Sequence, residues 1–136
     1  MKRDILSEAL EIKEELILWR RSLHRIPEVG LILPETFRFV TEQLDRMGIT
    51  YKTYTGHSGI VADFGNGQGK TVAIRGDMDG LPIEEDTGLE FSSENKNMHA
   101  CGHDAHTAIL LAAAKLLKRH ESEINGTVRL LFQPGE

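Results

Sequence analysis

The sequence predicts an α/β fold, and three observations carry that reading. Apolar residues recur at helical spacing over 4–25 and 34–47, short runs of strand length follow between glycine-rich turns, and a segment apolar on nearly every side crosses 104–119. Helices and strands alternating in this way build a layered architecture, each helix burying its apolar stripe against a sheet.

Each element has its own warrant. In 4–25 the positions Ile5, Leu6, Leu10, Ile12, Leu16, Ile17 and Leu23 lie close to a 3.6-residue period, and Pro27 bounds the helix. The second helix opens on Pro34, whose fixed φ suits a first turn. It presents Phe37, Val40, Leu44 and Met47 as its stripe and stops at Gly48. Strands are expected in YKTYT (51–55), GIVADFG (59–65) and KTVAIRGD (70–77), separated by turns such as GNGQGK. Residues 81–97 are polar and turn-rich, without a period. The helix over 104–119, with AILLAAAKLL, is expected to be buried, and Asp104 is expected to cap it. The last strand covers 127–132; the chain stops just beyond it at PGE, which reads as the N-terminal piece of something longer.

Composition excludes several classes. A chain of 136 residues with 40% apolar and 27% charged residues is an ordinary globular domain. Its net charge of −5, with the basic residues scattered, argues against a nucleic-acid partner. The single cysteine cannot form an internal disulfide, which favours a reducing compartment. The N-terminal MKRDILSEALEIKEELI lacks the apolar core of a signal peptide, and the longest apolar run, AILLAAA, is too short to cross a bilayer. A cytoplasmic protein with no membrane partner is expected.

The unusual residues collect at element ends. MHACGHDAH (98–106) holds the only cysteine and three of the six histidines. Cys101 and His103, one residue apart, point to the same side of an extended backbone, and thiolate and imidazole suit zinc and similar ions. The same spacing also fits a packed cysteine beside a hydrogen-bonded histidine. RGDMDG places Asp77 and Asp79 at a strand end, where they read either as turn formers or, beside a metal, as a ligand or the group that orients a ligating histidine. Nothing in the spacing singles out Glu136. Ligands of open α/β sheets bind beyond the carboxyl ends of strands, and GDMDG and QPGE both lie there, while ACGHD opens the buried helix.

Four motifs in order, LHRIPEVG followed by ET, RGDMDGLPIEEDTGLEFSS, MHACGHDAHTAILLAAAKLL and LLFQPGE, resemble the metallopeptidase family that includes aminoacylases, hippurate hydrolases and indole-acetyl-amino-acid amidohydrolases. The resemblance implies the N-terminal part of a three-layer αβα catalytic domain. It also implies two divalent ions (manganese, zinc, cobalt or nickel) and hydrolysis of a small N-acyl amino acid or dipeptide-like substrate. Carried over by position, Cys101 and His103 are metal ligands, Glu136 is the general base that deprotonates the attacking water, and Asp79 supports the site. A second glutamate, further histidine ligands and a smaller domain that mediates homo-oligomers are implied beyond residue 136. Asp77, His99 and His106 stay undecided and are taken as structural, and His24 is expected to pack or hydrogen-bond at the edge of the site. Two other readings compete: a shortened remnant that binds at most one ion weakly, and a redox protein built on Cys101. The second is disfavoured because no resolving cysteine exists.

Overall fold

The computed structural model describes residues 4–136; residues 1–3, the start of the charged N-terminal stretch, lie outside them. The elements in chain order are α1 (Ile5–Glu11), α2 (Lys13–His24), α3 (Pro34–Arg46), β1 (Lys52–Tyr54), β2 (His57–Phe64), β3 (Thr71–Asp77), α4 (His103–Arg119) and β4 (Thr127–Gln133), with a 3-10 turn at Glu121–Glu123.

The single helix expected over 4–25 is two. The chain breaks at Ile12, where φ is −99° and ψ 8°. Ile12, Trp19 and Leu23 enter the core, whereas Ile5, Leu6 and Leu10 of α1 stay exposed. Polar contacts hold α1 instead: Glu8 accepts from His120 Nε2 at 2.8 Å, and Glu11 lies 3.7 Å from Arg119.

The helix starting at Pro34 forms as expected, and its open first N–H groups find a partner six residues before its start. The Glu28 carboxylate accepts from Thr36 N at 2.7 Å and Glu35 N at 3.1 Å. At the other end Gly48 adopts φ +67°, a conformation that costs a side-chain-bearing residue energy. It lets Ile49 N bond back to Leu44 O at 3.0 Å.

The sheet has four strands in the order β1-β2-β4-β3. β1–β2 and β2–β4 pair antiparallel, and β3–β4 pair parallel with Asp77 opposite Gln133. Alternation along the strands sends Ile60, Ala62, Phe64, Leu130 and Phe132 to one buried face. On that face lie α3 and α4, with α2 packed on α4. The α/β expectation therefore holds, and the described residues supply the helical layer on one side of the sheet. β4 is central. β3 is an edge strand whose Val72 and Ile74 are 58% and 45% exposed. The helix α4 is buried on the side facing the sheet and α2, through Ala108, Leu110, Leu111 and Ala114, but not all round: Ile109 is exposed. No helix among the described residues is long and apolar enough to cross a membrane.

Candidate metal centre

Parallel pairing of β3 and β4 brings two strand ends together. Asp77 closes β3, and PGE leaves β4 beside it, tied by Met78 N donating to Gln133 O at 2.8 Å. The first turn of α4 lies over this edge because β3 carries Gly76 there. A Cβ at that position would come within 3.2 Å of His106 O and Leu110 Cδ2. Thr107 pins the turn down, its hydroxyl lying 2.9 Å from Asp77 O and 3.0 Å from His103 O.

His103 and His106, three residues apart, share one face of α4. Both point at Asp77: His106 Nδ1 donates to Asp77 Oδ1 at 2.6 Å, and His103 Nε2 lies 3.3 Å from Asp77 Oδ2. The same His103 nitrogen is 3.4 Å from Glu136 Oε2. The other side of the buried His103 ring faces Asp79, with Nδ1 2.9 Å from its backbone oxygen and 3.2 Å from Oδ1. Both of those partners can only accept, so the proton belongs on Nδ1 and the lone pair of Nε2 is left for the Asp77–Glu136 side. A histidine fixed in this way by a carboxylate is the usual arrangement behind a metal-binding imidazole. Ligand atoms of Asp77, His103 and His106 all lie within 4.8 Å of one another. Mixed nitrogen and carboxylate donors at that spacing fit a first-row divalent ion.

Burial works to raise the Asp77 carboxyl. The hydrogen bond from His106 and the nearby charges of His103 and His106 outweigh it, and the group titrates below its ordinary range. Asp77 is therefore held as the carboxylate a cation requires. Beneath the site His99 is 4% exposed, and neither ring nitrogen has a hydrogen-bond partner among the described residues. Burial, assisted by His24 and His103 and opposed by Asp104 and Asp79, pushes it down to about 4.

Of the four residues singled out from sequence, His103, Asp79 and Glu136 come together here. Cys101 precedes the helix by two residues with an exposed, free thiol and is not part of the Asp77–His103–His106 group. Asp77 and His106, taken as structural, are in it. Their pairing spans 29 positions, and the only sequence signal for it was that both histidines stand in the first turn of one helix. Asp104 is not the helix cap. Gly102, at φ +88°, occupies that position, and Asp104 sits inside the first turn, fully buried, 2.8 Å from Arg20 Nε and 2.7 Å from His24 Nδ1. The expectation of His24 as a packed, hydrogen-bonded residue at the edge of the site matches this placement.

Comparison with known proteins agrees with this geometry. Residues 73–136 match the model of peptidase family M20/M25/M40. The chain is 46% identical over 133 residues to the IAA-amino acid hydrolase ILR1-like 5 of Arabidopsis thaliana, covering 94% of this chain and 31% of that protein. It is 42% identical to the N-acyl-L-amino acid amidohydrolase of Geobacillus stearothermophilus, over 99% of this chain and 37% of the relative. Among solved structures, the YXEP protein of Bacillus subtilis, a dinuclear metal binding peptidase of the M20 family, superposes with a TM-score of 0.85. It is 40% identical, over 90% of this chain and 35% of that one. The chain thus spans about a third of the length of the relatives it matches. With the motifs, the sheet and the donor cluster in agreement, the chain belongs to peptidase family M20, a family of hydrolytic metallopeptidases and amidohydrolases.

Proposed function

We propose that the whole protein hydrolyses the amide bond of N-acyl-L-amino acids with divalent ions held at this site. The observation that carries the reading is the convergence of His103 Nε2 with the carboxylates of Asp77 and Glu136 beyond the carboxyl ends of two parallel strands. The relatives, an IAA-amino acid hydrolase and an N-acyl-L-amino acid amidohydrolase, add N-acyl and indole-acetyl amino acids as the substrate class.

The roles follow from what each side chain touches. Asp77, His103 and His106 are within reach of one ion, and Cys101, outside that group, would add a sulfur donor from the segment just before α4. Asp79 fixes the tautomer of His103 and thereby the direction of its lone pair. Bound ions, of manganese, zinc, cobalt or nickel, would polarise the scissile carbonyl and acidify a water. Glu136, half-exposed at the rim, is free to take the proton of the attacking water and return it to the leaving nitrogen. A cytoplasmic homo-oligomer acting on small acyl-amino acids is the setting we infer for the whole protein.

The test is release of free amino acid from a panel of N-acetyl and indole-acetyl amino acids by the whole protein, before and after chelation. Hydrolysis that stops on chelation, returns with metal, and falls roughly 10²–10⁴-fold in Glu136→Gln is expected. Rates indifferent to chelation and to Glu136→Gln would contradict the proposal.

A further inference from the structure

The 25 or so residues between β3 and α4 hold almost no regular structure, yet they carry Asp79 at one end and Cys101 at the other. What fixes them is α2. Arg20 and His24, four residues apart, share one face of that helix. Arg20 Nε and His24 Nδ1 both reach Asp104 Oδ2, at 2.8 and 2.7 Å, and Asp104 directly follows His103 in the first turn of α4. The other His24 nitrogen lies 2.9 Å from Glu85 Oε1, in an ionic contact rather than an aligned hydrogen bond. Glu85 in turn gathers its own loop, accepting from Ser93 N at 2.9 Å and from the Thr87 hydroxyl. Phe91 of the same loop lies edge-on to His24, with ring centroids 5.5 Å apart, and beneath the guanidinium groups of Arg20 and Arg21.

The side chains of His24, Glu85 and Asp104 are 3%, 2% and 0% exposed. Charged groups so far from water persist only when paired, and two basic and two acidic side chains pair here. Both His24 nitrogens face carboxylates, one on the loop and one on the first turn of α4. The cluster thus ties one helix to the two segments that carry the proposed sulfur and nitrogen donors.

We propose that Arg20, His24 and Glu85 act with Asp104 as a buried ionic clamp that positions Cys101 and His103 relative to each other for a shared cation. The inference rests on the metal-site reading above. None of the four is placed among the donors; they are positioning residues, acting through the loop and the first turn of α4.

The test measures Zn2+ affinity of the 136-residue chain by competition with a chromophoric chelator. The set comprises the unmodified chain, Glu85→Gln, His24→Gln, their double, and Glu90→Gln as a matched charge removal at an exposed position of the same loop. Urea unfolding of each defines conditions in which all are folded. Glu85→Gln and His24→Gln should each weaken Zn2+ binding roughly 10- to 100-fold. The double should be no weaker than the poorer single, because both break one clamp, and Glu90→Gln should bind as the unmodified chain does. If His24→Gln fails to fold, Glu85→Gln decides. Folded clamp variants that bind as tightly as Glu90→Gln, or losses that simply add in the double, would overturn the clamp. In that case a difference between the unmodified chain and the Cys101→Ala/His103→Ala double would show the metal site intact. Absence of that difference would overturn the site itself, and the clamp with it.

Discussion

Lowering the pH from about 7 to about 4 should destabilise this fold by more than its carboxylates explain, and His99 is the reason. Its imidazole is 4% exposed with no hydrogen-bond partner on either nitrogen among the described residues, and burial holds it neutral down to about 4 against an ordinary 6.5. The unfolded chain takes up a proton near 6.5 that the native state refuses until about 4. Because the unfolded state binds more protons in that window, stability falls with falling pH and the penalty levels off below the folded value. At about 1.4 kcal/mol per pH unit, the interval amounts to about 3 kcal/mol. Asp77 and Glu85, both held low in the folded state, add their losses only below the ordinary carboxylate range, so the two effects separate on the pH axis. The assay is urea unfolding of the chain and of His99→Asn from about pH 7 to about pH 4, without metal. The unmodified chain should lose about 3 kcal/mol relative to the variant between about pH 6.5 and pH 4. Two curves that run parallel through the window would refute the reasoning.

Further expectations follow from packing and linkage. Leu111 is fully buried between the sheet and the other helices, so Leu111→Ala should cost about 2–5 kcal/mol in urea unfolding. Gly76→Val would push against His106 O and Leu110 Cδ2, lowering stability by about 1–3 kcal/mol and weakening Zn2+ binding through the displaced first turn of α4. An ion that binds only the folded chain should stabilise it by about 2.7 kcal/mol at a hundredfold excess over Kd and so raise its unfolding midpoint, and a chelator should reverse the gain in a thermal melt.

Local signals in the sequence were reliable where local physics decides. Pro34 and Gly48 bracket α3 because a fixed φ and a positive φ are properties of those residues alone. The strands were legible as runs, but not that β3 would lie at an edge with Val72 and Ile74 uncovered, since pairing order is set across the sheet. The split at Ile12 escaped the periodicity because α1 is held by Glu8 and Glu11 on residues more than a hundred positions away, not by its apolar face. Asp104 looked like a cap because an aspartate beside a helix start usually is one. Partners 80 positions upstream claim it instead, and a glycine in the left-handed region opens the helix. The carboxylates and histidines of the site were visible as residue types at element ends. Which of them meet depends on the parallel register of β3 and β4 and on the seat of α4 over Gly76, and neither is written in any short motif.

Whether sulfur and nitrogen from positions 101 and 103 bind one cation can be read most directly from the absorption of the chain titrated with Co2+. Coordination by both should give a thiolate-to-metal charge-transfer band in the near ultraviolet, lost in Cys101→Ser, and visible d–d bands weakened in His103→Ala. A Co2+ complex with no charge-transfer band, or one unchanged by either substitution, would contradict the shared site.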